Sequence, residues 1–199
     1  MKILHIDSSP RFGESISRQL SQAVVDRLTQ QAEGKAEIIR RDVAAEPLPF
    51  ADGEMIGSFF TPPGVRTEAQ NAKIQISNTL VAELQAADVV VVGVPMWNFG
   101  VPASFKAWFD LVARVGVTFK YGPNGPEGLL AGKKVYFNIA TGGTPIGSDW
   151  DLLSGHLKTF FGFLGIADQE IIAADGVQGP AGTAKVEAAL AKAASLTNA

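Results

Sequence analysis

The sequence contains no cysteine and, among its 199 residues, only two histidines, His5 and His156. Without thiols there is no disulfide framework, no thiolate nucleophile, no Cys-ligated zinc and no iron–sulfur cluster. Two isolated histidines without HExxH spacing leave no histidine-rich metal site. Charge of one sign is also scarce: 17 Lys and Arg stand against 20 Asp and Glu, scattered along the chain for a net charge of −3. No basic surface for nucleic acid is expected. The longest apolar run, 89–95, is well short of the roughly 20 residues a membrane-spanning helix needs. The N-terminus lacks the apolar core and small-residue cleavage site of a signal peptide, so the expectation is a cytoplasmic protein. A Walker A loop, a Gly-x-Gly-x-x-Gly after the first strand and a Gly-x-Ser-x-Gly elbow are all missing, which removes most of the case for nucleotide hydrolysis, the common dinucleotide fold or serine esterase chemistry.

What is there is apolar and patterned. At 46% hydrophobic and 19% charged residues, the chain is too apolar to be disordered and has the length of one domain, 1–199. Short apolar runs ending in small residues alternate with stretches of helical spacing, the rhythm of βαβ units. The pattern predicts strands over 3–7, 36–43, 88–95, 134–140 and 170–174. Helices are predicted from Ser15 or Ser17 through the stripe Ile16, Leu20, Val24 and Leu28, and over 67–86, 103–115, 150–164 and 183–196. Residues 44–65 and 116–132, rich in Pro and Gly, read as irregular excursions. Five strands and five helices in alternation predict an α/β doubly wound five-stranded parallel sheet with helices on both faces, in flavodoxin-like order. The run from Val89, without polar alternation, belongs at the sheet centre.

In such sheets ligands lie beyond the carboxyl ends of the strands, where strand order reverses. Three loops meet that description: 8–17, 95–102 and 140–147. The first places Ser9, Arg11, Ser15, Ile16 and Ser17 before a helix, and a helix N-terminus with free N–H groups suits phosphate. Plain helix caps with a solvated Arg11 are the equal alternative at this point. In the second, Pro95, Met96, Trp97, Asn98 and Phe99 combine aromatics, a thioether and an amide, as a flat heterocycle with a polar edge would require; a loop packed on its neighbouring helix is the plainer reading. In the third, Ala140, Thr141, Gly142 and Gly143 let backbone approach a ring edge, or form only a tight turn.

Taken together, Ser9-Pro10-Arg11 with Ser15-x-Ser17, Pro95-Met96-Trp97-Asn98-Phe99 with Pro102, Lys106-x-x-x-Asp110, Thr118-Phe119-Lys120-Tyr121, Gly125-Pro126-x-Gly128-Leu129 and Gly142-Gly143 give the whole chain a family resemblance. It resembles the bacterial FMN-dependent NAD(P)H azoreductases and quinone reductases. The resemblance implies that Ser9 and Ser15–Ser17 hold the FMN phosphate and that Met96–Phe99 and Ala140–Gly143 hold its ring. It also implies a cytoplasmic homodimer that passes electrons from NADH or NADPH to quinone and azo substrates in a ping-pong cycle. Trp97 stands where the family often has tyrosine, and Ala140-Thr141 where it often has Ser-Arg. Because a flavin carries the chemistry itself, no catalytic acid–base pair is demanded of the side chains. Phe60, Phe119, Tyr121 and Phe163 are the expected substrate walls, with core packing the alternative for Phe163 and its neighbour Phe160. His5 reads as a satisfied core residue and His156 as a helix-face one. A flavodoxin-type electron carrier without its own substrate turnover is the rival function, as is a non-flavin hydrolase or regulatory domain on the same sheet.

Overall fold

A computed structural model describes residues 1–197. Five parallel strands form the main sheet: β1 (Lys2–Asp7), β2 (Glu37–Asp42), β3 (Val89–Pro95), β6 (Lys134–Ala140) and β7 (Asp168–Ala174), in the spatial order β2-β1-β3-β6-β7. The doubly wound expectation holds, and the strand order reverses between β1 and β3. Every residue of β3 from Val89 to Val94 is buried, as its unbroken apolar run requires of a strand covered on both faces.

Alternate side chains of the sheet feed two cores. Leu4, Ile6, Val90, Val92, Val135 and Phe137 point to one side, under α3 (Glu68–Ala86), α4 (Ala103–Val112) and α5 (Leu152–Phe163). Ile3, Val91, Tyr136 and Ile172 point to the other, under α1 (Ile16–Gln31) and α6 (Gly182–Ala194). Helix α1 begins at Ser15, whose side chain accepts a hydrogen bond from the Arg18 N–H; of the two possible caps, this one is used.

Both excursions contain regular structure that the sequence pattern did not reveal, and among the described residues there are six α-helices where five were expected. In the first, Asp52 caps α2 (Gly53–Phe60) by accepting from the Met55 N–H, and Met55 and Phe59 bury into the core. In the second, β4 (Phe119–Gly122) and β5 (Gly125–Gly128) pair as an antiparallel hairpin. This hairpin lies directly on the end of α5: a Cβ at Gly128 would meet the Gly165 nitrogen at 2.0 Å. Helix α4 ends earlier than its spacing suggested. Thr118 Oγ1 accepts from the Arg114 N–H and donates to the Val112 carbonyl, and Gly116 turns the chain at φ +74°.

Candidate active site

The switch point joins the three loops through backbone. The N–H and hydroxyl of Ser8 both donate to the Gly93 carbonyl of β3, at 3.1 and 3.0 Å. The Met96 N–H donates to the Ala140 carbonyl at 2.8 Å. The loops after β1, β3 and β6 are thereby held side by side at the C-terminal edge of the sheet.

At the first loop, Ser9, Ser15 and Ser17 are all buried. The Ser15 and Ser17 hydroxyls lie 3.1 Å apart, and Ser9 Oγ accepts from the Arg11 N–H. The Ile16 and Ser17 N–H groups at the head of α1 donate to no atom among the described residues, and no acidic residue occupies its first turn. Such an end carries roughly half a positive charge. These donors fit a phosphate. Arg11 is exposed and pairs with Glu14, outside the serine cluster. The arginine that organises the turn is Arg18, which sequence reading passed over. Its guanidinium donates twice to the Ser9 carbonyl and pairs with Asp42 at 2.6 Å and Asp7 at 3.5 Å. Burial alone would raise the Asp42 carboxyl; the Arg18 bond and the N–H groups of Ala44 and Ala45 outweigh it and hold that carboxyl below its ordinary value.

Beneath the turn lies a buried polar network. Ser21 Oγ donates to Asp7 at 2.9 Å and sits 3.0 Å from His5 Nε2, so His5 is a satisfied core residue as its position in β1 suggested. Space for this network comes from Gly93, where a Cβ would lie 2.4 Å from Asp7 Oδ1 and 2.8 Å from Ser21 Oγ.

At the second loop, Trp97 and Gly100 exchange both backbone hydrogen bonds at 3.0 Å, closing a two-residue turn in which Asn98 (φ 47°) and Phe99 (φ 70°) are both left-handed. Consecutive left-handed residues define a type I′ turn, which ordinarily selects glycine. Asparagine tolerates this region, but phenylalanine adopts it at a cost. The N–H groups of Asn98 and Phe99 donate to no described protein atom, and the Trp97 and Phe99 rings stand in solvent, Phe99 tilted against Trp150. Strained backbone of this kind gathers at binding and catalytic sites.

The third loop is pinned from outside. Thr141 Oγ1 accepts from the Gly176 N–H, and the Thr141 and Gly142 carbonyls accept from the Val177 and Gln178 N–H groups. The N–H groups of Gly142 and Gly143 are left without described partners. A cavity of about 730 Å³ opens beside the first two loops, lined by Ser8, Pro10, Trp97, Asn98, Gly100 and residues 101–104. Val43, Ala44, Pro47, Lys106 and His156 complete its wall. The first three follow β2 at its C-terminal end, the signal that could have found them. His156 comes from α5, edge-on to Phe109 at 5.2 Å. Burial and then the Lys106 charge push its imidazole below the ordinary value.

Phe60, Phe119, Tyr121 and Phe163 do not line this cavity. Phe119 packs between Tyr121 (5.6 Å) and Phe163 (4.5 Å), and with Phe60 borders a separate depression. Phe160 stacks face to face on Phe109 at 3.9 Å and belongs to the core packing.

Residues 1–196 match a family model described as a flavodoxin-like fold. An FMN-dependent NADH:quinone oxidoreductase of Erythrobacter litoralis is 47% identical over 94% of this chain and 94% of its own length. One of the same name from Herminiimonas arsenicoxydans is 45% identical over 99% and 97%. A crystal structure of an azoreductase from Bacillus anthracis superposes with a TM-score of 0.89 at 26% identity, covering 98% of this chain and 97% of that one. Switch point, serine turn and relatives agree: the chain belongs to the flavodoxin-like family, in the branch whose members carry the name FMN-dependent NADH:quinone oxidoreductase.

Proposed function

We propose that the protein is an FMN-dependent oxidoreductase that uses NADH or NADPH to reduce quinones and azo compounds. One observation carries the reading: free N–H groups and buried serines at the head of α1 and an aromatic, strained turn after β3 border the same sheet edge. The relatives' names support the same chemistry. Bound FMN would supply hydride acceptance and two-electron delivery. The Ile16 and Ser17 N–H groups with the hydroxyls of Ser9, Ser15 and Ser17 would hold its phosphate, with Arg11 adding charge from the rim. Pro95, Met96, Trp97, Asn98 and Phe99, together with Ala140, Thr141, Gly142 and Gly143, would border its ring.

Within that site the chain's own groups divide the work. The unpaired N–H groups of Asn98, Phe99, Gly142 and Gly143 are fixed donors, arranged before any negative charge develops beside them. The Arg18, Asp7 and Ser21 network keeps the serine turn from relaxing. His156 lies on the cavity wall with Lys106, and burial, then the Lys106 charge, hold its imidazole below the ordinary value. The reading has donor and acceptor meet the same ring in turn, the ping-pong order, because a bound flavin would accept a hydride before passing the electrons on.

The reading includes a cytoplasmic homodimer. Phe60, Tyr121, Trp150 and Leu152 are exposed apolar groups on one small chain, which a second copy would cover, and in this reading Phe60, Phe119, Tyr121 and Phe163 serve the partner's cleft. Among the described residues no helix is long and apolar enough to cross a membrane. The deciding experiment is steady-state NADH and NADPH oxidation by FMN-loaded protein with a quinone and no partner protein. Turnover is expected; reduction that requires a second protein would assign an electron carrier, and a preparation that takes up no FMN would remove the flavin reading. Light scattering tests the dimer.

A further inference from the structure

Arg114 is a buried cation without a carboxylate. It follows α4, only 4% of it is exposed, and it takes part in no salt bridge among the described residues. Its Nη1 donates to Ser77 Oγ at 2.7 Å and Asn78 Oδ1 at 3.3 Å, and its guanidinium lies 4.6 Å from the centre of the Phe59 ring. Nε is sealed from solvent with no hydrogen-bond partner, and Nη2 donates to no described atom. A second arginine faces the same space. Arg66 is anchored through Nε to the Ser58 carbonyl at 3.0 Å, which leaves the two ends of its fork without a protein acceptor. Both line a cavity of about 610 Å³ together with Asn78, Phe59 and Phe60, and its lining includes no acidic residue.

A buried guanidinium costs several kcal/mol to desolvate unless a counter-charge compensates it. Two hydrogen bonds and one aromatic face are partial compensation, and like charge from Arg66 works against it. Two of the half-buried arginines are matched by carboxylates, Arg18 with Asp42 and Arg41 with Glu83, and half-buried Arg27 donates to the Leu196 carbonyl; Arg114 is the more deeply buried case. We propose that Arg114 and Arg66 form an oxyanion site, separate from the cleft at the sheet edge, that takes the phosphate of a monoester carried on a flat apolar body. Two guanidinium forks match the charge and the several acceptor oxygens of a phosphate dianion. Pro62 and Pro63 on the rim of the same cavity offer an apolar wall on which the apolar body can lie. The direction of the Arg114 titration agrees: burial, and after it Arg66, lower its pKa, so an anion is the group whose arrival would restore it.

The experiment uses FMN-loaded protein, so that the serine turn is not open to phosphate, with arginine Nε labelled by ¹⁵N. Phenyl phosphate, inorganic phosphate and phenol are titrated in turn. The expected result is a saturable shift of the Arg114 Nε resonance with phenyl phosphate and none with phenol. Arg66→Gln, a change at the solvent side that leaves the core untouched, should weaken that binding about tenfold or more, as the loss of a charge-assisted pair does. Arg114→Lys, which keeps the charge and loses the fork, should weaken it as well. Inorganic phosphate bound as tightly as phenyl phosphate would assign the site to the free anion; weaker binding would assign it to an ester. No saturable shift, or an affinity unchanged by Arg66→Gln, would overturn the proposal and leave Arg114 as a structural clamp between α3 and Phe59. If the protein does not load FMN, the difference between Arg66→Gln and the parent still isolates this site from the serine turn.

Discussion

Replacing Gly93 with alanine places a methyl group 2.4 Å from Asp7 Oδ1, 2.8 Å from Ser21 Oγ and 3.0 Å from the Ser17 carbonyl. None of these can swing away freely. Ser17 is backbone in the first turn of α1, and the other two belong to the buried network with His5. Overpacking of this kind costs ~1–3 kcal/mol, and breaking the Ser21–Asp7 bond inside the protein adds ~1–3 kcal/mol. The expected loss is therefore about 2–6 kcal/mol, a large part of the roughly 5–15 kcal/mol that holds an average domain together. Urea unfolding read by tryptophan fluorescence measures it. Gly155→Ala is the control, because a Cβ there meets nothing within 4 Å and the residue lies within helix α5; it should stabilise by ~0.5–1 kcal/mol. If Gly93→Ala costs less than about 0.5 kcal/mol, the range of ordinary surface substitutions, α1 is not seated on β3 as described, and the link between the network and the serine turn fails. FMN titration of the same variant should show weaker binding than the parent, since the methyl group displaces the turn that carries Ser15 and Ser17.

Other outcomes follow from the same geometry. Ser15→Ala with Ser17→Ala should weaken FMN binding by ~2 kcal/mol or more, about 30-fold; an unchanged titration would remove these serines from the site. Asn98→Gly keeps the left-handed backbone and deletes the amide, so a flavin potential shifted by about 30 mV, equivalent to ~1.4 kcal/mol for two electrons, should accompany nearly unchanged folding. A potential that stays put would reduce Asn98 to a turn former. His156 titrates below its ordinary 6.5 because of burial and then Lys106, so as pH falls through that value the unfolded chain takes up the proton first. Stability should decline from there downward and not above it, and His156→Gln should flatten the decline in urea midpoints that sets in as pH falls below 6.5. An identical slope in the variant would mean that the group titrates alike in both states.

The sheet was legible because its signals are strong and local: the valine run of β3 has no polar alternation to misread, and the four-residue spacing from Ile16 to Leu28 fixes the buried stripe of α1. Helix α2 escaped because eight residues bounded by proline-rich segments give too few turns for a period to emerge, although Asp52 offered a cap. The hairpin carried its signal in Asn124-Gly125, yet its strands, Phe119–Gly122 and Gly125–Gly128, are four residues each and poor in β-branched side chains. Candidate site residues stand out in the sequence where a loop follows a strand directly. Arg18 does not, since it sits inside a helix and acts on Ser9 through space. Nor does the strain at Phe99, because the turn formed by 97–100 is set by tertiary packing against a chemistry that favours other residues. The expected substrate walls present a further case: Phe119 and Phe163 pack on each other, away from the cleft, which their sequence positions did not signal.

The type I′ turn at Asn98 and Phe99 carries an evolutionary corollary. A left-handed non-glycine residue costs of order 1–3 kcal/mol, so glycine at 99 would make the bare protein hardier while discarding a ring beside the cleft. A laboratory selection for heat tolerance alone should drift toward glycine there, whereas selection for turnover should refuse it, so competing the two regimes would expose how much durability this lineage has forgone to keep an aromatic at its doorway.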